Sequence, residues 1–495
     1  MNMPLLTRSA GYIGSALATQ ATKRGAEIGL SCGVQRLSWA VLQQRVMALA
    51  QTLYSRHGTQ QAIGLDIIDP LLLVQAFLAV VRAGHRALVF DPQWTPDQRQ
   101  RIVQQLNMTA LLQDTDVDRL NGNHDASYPP EHLPAHLPEP EADWPFYVGF
   151  TSGSTGLPKG YRRNHDSWLA SFAISDQLFD LGPDDRVMAP GSLATSLHLY
   201  GVIHALQRSI PVTLVSKFRP RTVWQTLLTG KVTALYGTPT QVQLLLQMAT
   251  HERQAPNTSL RHLIISGAKW PDDTRAAIHR FFPQAQLTEF YGTSEMSFVA
   301  VHNDTRRAPS GSVGKPVPGV DVCIGHTPDN PVPTGQRARI WVRSALLFDG
   351  YECGGGDEIA RHGEWLTVGD HGYLDAGGHL FLVGREKRML VSGGQNLYPE
   401  ELESWLTQHP QIQQAAVLGL PDALRGQRIV GVLHGDANAL TPDALKRYSA
   451  QRLPIAQVPR DWLWLDHWPL TPSGKTDFMA IQTWLVETMA HKETR

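Results

Sequence analysis

Cysteine is scarce in this sequence. Cys32, Cys323 and Cys353 are the only three in 495 residues, far apart and in no C-x-x-C spacing. That excludes a disulfide framework and a thiolate metal cluster, and predicts small thiols in a reducing compartment. Net charge is missing too: Lys+Arg 44 against Asp+Glu 45 gives no field of one sign, so neither nucleic acid nor an anionic membrane is an expected partner. No window reaches the ~18 apolar residues that a bilayer span requires. Residues 1–15 hold no charged segment followed by a long apolar run, so no signal peptide is expected. The chain reads as cytoplasmic, and any anion it binds must be caught by a local site.

The chain is long and ordinary in composition. With 495 residues, 42% hydrophobic and 18% charged, it exceeds what one core organises, which predicts two or more domains. From about residue 60, short β-like runs alternate with helical ones: AIGLDI, LLLVQAFLAVVRAG, ALVFDP, DQRQRIVQQLN, TALLQD. This order predicts βαβ units on a mostly parallel sheet. Residues 121–143 are rich in proline and acid and read as a surface connection. A second alternating series runs from VTLVSKF to LTEFYG, and from about Gly311 short strands dominate. Past Arg385, LYPEELESWLTQ puts Pro399 and two glutamates in a first helical turn, with Leu402, Trp405 and Leu406 on one face.

Residues 150–160, FTSGSTGLPKG, combine hydroxyls, glycines and a lysine directly after a strand-like run. Converging backbone N–H groups, hydroxyl donors and one cation are what a phosphate loop needs. The pattern is not a Walker loop, because Pro158 precedes Lys159 and Gly160 follows it. Taken alone, such a stretch is equally a flexible turn, Glu295 a solvated carboxylate, and Asp370 before glycine a turn residue. Their joint occurrence decides. YGTSE at Tyr291, TVGDHGYLD around Asp370, GREKRMLVSGGQN from Arg385 and LTPSGKTD around Lys475 follow the loop in order.

This set, between about Trp144 and Asp477, resembles the AMP-forming adenylating superfamily, and within it the acyl-CoA synthetases rather than the luciferases. The resemblance implies an α/β fold. A large N-terminal domain (1–386) would hold two sheet-helix subdomains and a β subdomain, and a small mobile α+β C-terminal domain would span 387–495. It further implies that Thr151, Ser152, Gly153, Ser154, Thr155, Gly156 and Lys159 cradle the phosphates of ATP that leave as pyrophosphate. Tyr291 and Gly292 would meet the adenine, and Ser266, Gly267 and Ala268 its edge. Thr293 would donate to the α-phosphate, and Glu295 would ligate Mg²⁺, a hard cation suited to carboxylate and phosphate oxygens. Asp370 and Arg385 would hold the ribose. Lys475 would bridge the acyl carboxylate and the α-phosphate, and Lys387 would be the hinge on which the C-terminal domain turns to bring in residues 392–394.

By the same resemblance, an α-amino acid substrate would call for an aspartate in residues 191–206, and GSLATSLHLYGVIHAL has no acidic residue. His198, Tyr200, Tyr236, Gly237, Thr238, Met296 and Ser297 are candidates to line the acyl pocket. His198 is equally a core histidine bonded to backbone. The candidate set carries no formal charge, which points to a neutral fatty or aromatic acyl group on a small-molecule carboxylic acid. The thiol acceptor is CoA or, alternatively, the phosphopantetheine of an acyl carrier protein. Two departures bear on the acceptor: the glycines of GYECGGGDEIARHGEWLTVGD, and Gln395 in SGGQN where acyl-CoA ligases commonly have Glu.

Overall fold

The computed structural model describes residues 11–121, 136–151, 158–229, 231–266, 274–303, 308–355, 359–392, 395–422, 426–437, 439–451, 453–454, 457–471 and 475–493. It divides into two compact units: Met1–Asp321 with Arg343–Gly356, and Val322–Val342 with Asp357–Arg495. The first unit holds two of the four sheets seen among the described residues. A six-stranded sheet takes Ala62–Asp66, Arg86–Val89, Ala110–Gln113 and Pro145–Thr151 in parallel, as the alternating pattern predicts. The returning strand Lys159–Asn164 adds antiparallel. A nine-stranded sheet takes the second alternating series, with Ala234–Gly237, His262–Ser266 and Gln286–Thr293 parallel neighbours. The N-terminal hairpin of Ile28–Cys32 and Gln35–Ser38 joins this second sheet rather than the first, pairing with Val212–Leu214.

Helix Pro70–Arg82 shows why the first unit holds together. Asp69 Oδ1 caps it, accepting from Leu71 N at 2.7 Å and Leu72 N at 3.2 Å, and proline sits in the first turn where its missing N–H is harmless. Every residue from Pro70 to Val81 is buried. A helix apolar all round belongs in an interior.

The second unit also holds two sheets. One gathers the short strands expected after Gly311, from Asp321–Thr327 to Leu380–Arg385. The other builds on the long hairpin Ile412–Asp422 and Gly426–Gly435. Helix Pro399–Leu406 buries Leu402 and Leu406 against the strands of that hairpin. No helix among the described residues is long and apolar enough to cross a membrane.

Two histidines in the first unit are buried without a counter-charge and stay neutral. His165 stacks on Phe146 at 4.8 Å and accepts from Ile13 N at 3.1 Å through Nδ1, and burial lowers its pKa to about 3. His85 accepts from Gln61 N at 3.2 Å, and burial lowers its pKa to about 4. The unfolded value is ~6.5, so on acidification the unfolded chain takes up these protons first. The stability from neutral imidazoles is complete above pH ~6.5 and is lost as pH falls toward the folded values. The midpoint of thermal unfolding should therefore drop between pH 7 and 5, with a shallower slope in His165→Asn. A flat profile over that range, with the same slope in both proteins, would show that neither imidazole is held neutral.

Candidate active site

The turn between strands Gln286–Thr293 and Ser297–Asn303 carries the Tyr-Gly-Thr-Ser-Glu motif. A side chain on Gly292 would strike the Ser297 carbonyl, and the pairing register shifts between Tyr291 and Gly292. Ser297 has φ of 58°, a left-handed conformation rare outside glycine. The hydroxyl oxygen of Thr293 closes the turn by accepting from Met296 N at 3.1 Å, and Met296 is buried. Ser266 ends the adjoining parallel strand, level with Phe290. Gly267 and Ala268 lie outside the described residues.

Lys159 stands opposite Thr151 across the antiparallel pair that flanks the hydroxyl-rich loop. Ser152, Gly153, Ser154, Thr155 and Gly156 lie outside the described residues. The lysine therefore opens a strand, where in a Walker loop it would lead into a helix. Its Nζ lies 5.9 Å from the ring centroid of Tyr351, within cation–π reach. The Tyr351 hydroxyl donates to Glu295 Oε1 at 2.9 Å. One phenol thus links the lysine beside the loop to the carboxylate of the turn.

Sequence reasoning missed Tyr351 and placed its GYECGGG stretch in the β subdomain. The structure instead pairs Tyr351–Cys353 with Lys159–Asn164 at the edge of the six-stranded sheet. Arg163 was missed as well. Its side chain is buried, and it donates to Ser294 O at 3.2 Å, Leu346 O at 2.7 Å and Ser167 Oγ at 3.2 Å. Burial lowers its pKa, and the nearby charges of Asp349 and Glu295 act in the opposite sense. Phe348 N completes the brace, donating to Glu295 O at 2.9 Å. A glycine-rich tail and a strand-borne arginine carry no sequence signal for this, because every one of these contacts except that of Arg163 with Ser167 spans more than fifty residues of chain.

Among the described residues no cluster of three or more His, Cys, Asp or Glu side chains forms a metal cage. A lone carboxylate suits a cation that keeps waters and shares phosphate oxygens, as Mg²⁺ does. Glu295 fits that requirement, since the bond from Tyr351 occupies Oε1 and aims the group.

The acyl-pocket candidates are largely packed. His198 is buried, with Nδ1 2.7 Å from Thr195 Oγ1 and Nε2 3.1 Å from Gln241 Oε1, and burial lowers its pKa to about 4. Gly191 makes room for the ring, since a Cβ there would collide with it. Thr238 and Gln241 form a capping box on helix Pro239–His251. The Tyr200 hydroxyl lies 2.7 Å from Ser175 Oγ. Tyr236 and Gly237 are buried at the end of their strand.

On the second unit, Asp370 and Arg385 face each other across strands Asp370–Leu374 and Leu380–Arg385. Arg385 Nε donates to Asp370 Oδ1 at 2.9 Å, so the two ribose candidates come as a pair. Lys387 is exposed in the 3₁₀ turn Glu386–Arg388. Its neighbours are tied in two directions: Glu386 to Arg339 at 2.7 Å, and Arg388 to Glu403 at 2.6 Å and Glu400 at 3.1 Å. Lys475 is exposed in a turn in which Thr471 N donates to Lys475 O at 2.7 Å and Lys475 N to Thr471 Oγ1 at 3.2 Å.

Comparison with known proteins fits this geometry. Residues 17–352 match the family described as AMP-binding enzyme, and residues 401–475 its C-terminal domain. An uncharacterised acyl-CoA ligase of Bacillus subtilis, YhfT, is 32% identical over 458 residues, covering 90% of this chain and 93% of that protein. A putative long chain fatty acid-CoA ligase of Staphylococcus epidermidis, VraA, is 32% identical over 424 residues, covering 85% and 87%. In fold, the chain is similar to the o-succinylbenzoate CoA synthetase MenE of Bacillus subtilis in complex with its acyl-adenylate, with TM-score 0.81, 21% identity and coverage of 94% and 96%. ATP-bound MatB of Rhodopseudomonas palustris gives TM-score 0.81, 21% identity and coverage of 95% and 98%. The motif order, the hairpin that carries the Thr-Ser-Glu turn and these matches agree: the chain belongs to the AMP-binding enzyme family.

Proposed function

We propose that the protein is an ATP-dependent, AMP-forming acid–thiol ligase acting in the cytoplasm. The observation that carries the reading is Tyr351, which holds a lysine over its ring and a carboxylate at its hydroxyl. A magnesium triphosphate needs just such a cation and carboxylate a short distance apart. The acyl-CoA ligase relatives supply the chemistry.

In the first step a carboxylate oxygen attacks the α-phosphorus of ATP, the bond to the β-phosphate oxygen breaks, and pyrophosphate leaves. Two anions must meet, so the protein's task is charge neutralisation and alignment. Thr151, Lys159 and the loop from Ser152 to Gly156 take the departing phosphates. Thr293 donates to the α-phosphate, Glu295 holds Mg²⁺, Tyr291 lies on the adenine, and Asp370 with Arg385 takes the ribose. Lys475 approaches the carboxylate. In the second step the thiol sulfur attacks the acyl carbonyl, the bond to AMP breaks, and the thiol proton is lost. CoA is the proposed acceptor. The domain after Arg385 turns about Lys387 between the steps, which requires the contacts that cross that residue, Arg337 with Glu401 and Tyr398 with His371, to part.

Carboxylate-dependent ATP–pyrophosphate exchange tests the first step, and AMP release with CoA against carrier protein tests the second. Exchange with transfer only to a carrier protein would assign the alternative acceptor. Lys475→Ala should lower exchange by about 100-fold or more, since its charge serves both anions, yet spare thioester formation from supplied acyl-adenylate. Equal loss in both would remove it from the first step. Lys159→Ala should raise the KM for ATP by roughly 10-fold or more and leave that for the acid nearly unchanged; an effect on the acid alone would contradict its place at the phosphates. Proline is tolerated in a first turn, so Lys387→Pro should fold, keep exchange near normal and abolish thioester formation. Transfer at the wild-type rate would put the pivot elsewhere.

A further inference from the structure

The glycine run after Tyr351, one of the two departures from the family pattern, has a packing reason. Gly354 and Gly355 have φ of 65° and 107°, values that glycine adopts at little steric cost. A Cβ on Gly355 would stand 2.7 Å from Tyr351 Cδ2, and one on Gly354 would stand 3.2 Å from Lys159 Cα. The chain after Tyr351 therefore lies against the tyrosine ring and the lysine main chain, closer than a side chain would allow. The ring also packs edge-on against Phe348, with centroids 5.1 Å apart and planes at 74°.

The hydroxyl of the ring so held donates to Glu295 Oε1 at 2.9 Å. Phe348 N, three residues earlier on the same segment, donates to the Glu295 carbonyl at 2.9 Å. The glutamate is thus tied at its main chain and at one carboxylate oxygen. It stays partly exposed, within reach of a hydrated ion. An oxygen that already accepts a proton is a poorer metal ligand, and the phenol takes up space beside it. The carboxylate is therefore biased to meet a cation through Oε2 alone. Mg²⁺ suits that arrangement, since it keeps several waters, holds to octahedral geometry and needs only one or two carboxylates beside the phosphates. Ca²⁺ gathers roughly six to eight oxygens and gains more from a carboxylate that chelates with both.

Resting on the ligase reading above, which puts the metal at Glu295, we propose that Tyr351 is a positioning residue that selects the ion. Its hydroxyl holds Glu295 to coordination through one oxygen, which favours Mg²⁺ over Ca²⁺. Gly354 and Gly355 seat the phenol for that task.

The test uses the full chain with α,β-methylene-ATP, which cannot release pyrophosphate, and Mn²⁺ read by electron paramagnetic resonance rather than by turnover. Mg²⁺ or Ca²⁺ is titrated in, and the concentrations that displace half of the bound Mn²⁺ are compared with those for the analogue alone. The wild type should prefer Mg²⁺ over Ca²⁺ more strongly than the analogue does. In Tyr351→Phe that preference should fall by about 10-fold, a usual effect of losing the outer partner of a metal ligand. This variant keeps the ring beside Lys159, so its KM for ATP should move less than that of Lys159→Ala. An ion preference in Tyr351→Phe equal to that of the wild type overturns the proposal. So does a wild type no more selective than the analogue alone. Mn²⁺ binding unchanged in Glu295→Gln would instead overturn the placing of the metal on which the proposal rests, and absence of exchange with every acid would overturn the ligase reading itself.

Discussion

The Arg163 guanidinium is the cation around which the first unit's motif turn is organised. It is buried, and the groups it donates to are uncharged: the carbonyls of Ser294 and Leu346 and the Ser167 hydroxyl. Desolvating a guanidinium is expensive, and carbonyl dipoles compensate only when their geometry is fixed. The expense becomes a constraint. The motif turn, the segment around Leu346 and the strand Lys159–Asn164 must hold their relative places, or a buried charge loses its partners. Tyr351 then transmits that order to Lys159 and Glu295, so both charged groups inherit positions set by a residue that belongs to neither motif.

How much of this the sequence disclosed follows from the range of the interactions. The alternation of strand and helix, the capped helix Pro70–Arg82 and the Pro399–Leu406 face are local and periodic, and the structure has them where the pattern puts them. The Asp370 and Arg385 motifs are fifteen residues apart, and the antiparallel register makes them partners. Arg163 and Tyr351 were illegible for the opposite reason. Their contacts join segments 131 and 56 residues apart, and nothing in YRRN or GYECG specifies a destination. The N-terminal hairpin escaped notice similarly: its two short strands read as any turn, and only the edge of the second sheet gives them a place.

His198 shows a different limit. The sequence left it between a pocket wall and a core histidine, and both descriptions begin from the same helix face. Its two bonds, to Thr195 and Gln241, satisfy the imidazole and tie the start of helix Ser196–Gln207 to that of Pro239–His251. A satisfied, neutral ring has no proton to offer near pH 7. Whatever it contributes to an acid site is shape.

The second unit applies the same physics in a form that can be undone. The charges around Lys387 are paired at or near the surface, Arg337 with Glu401 and Arg339 with Glu386, and the side chains of these pairs are partly exposed. Exposed pairs contribute ~0–1 kcal/mol each and weaken with salt. A buried arginine such as Arg163 is suited to a part that must not move between two half-reactions. Under the proposed rotation about Lys387, the pair that spans it, Arg337 with Glu401, is partly exposed and weak enough to let go once per turnover. The Tyr398 hydroxyl, 2.8 Å from His371 Nδ1, adds a neutral contact of the same modest strength. Desolvated contacts thus lie under the motif turn, whereas beside Lys387 the partly exposed pairs of Arg337 and Arg339 adjoin a tighter and more buried one, Arg388 with Glu403 at 2.6 Å and Glu400 at 3.1 Å.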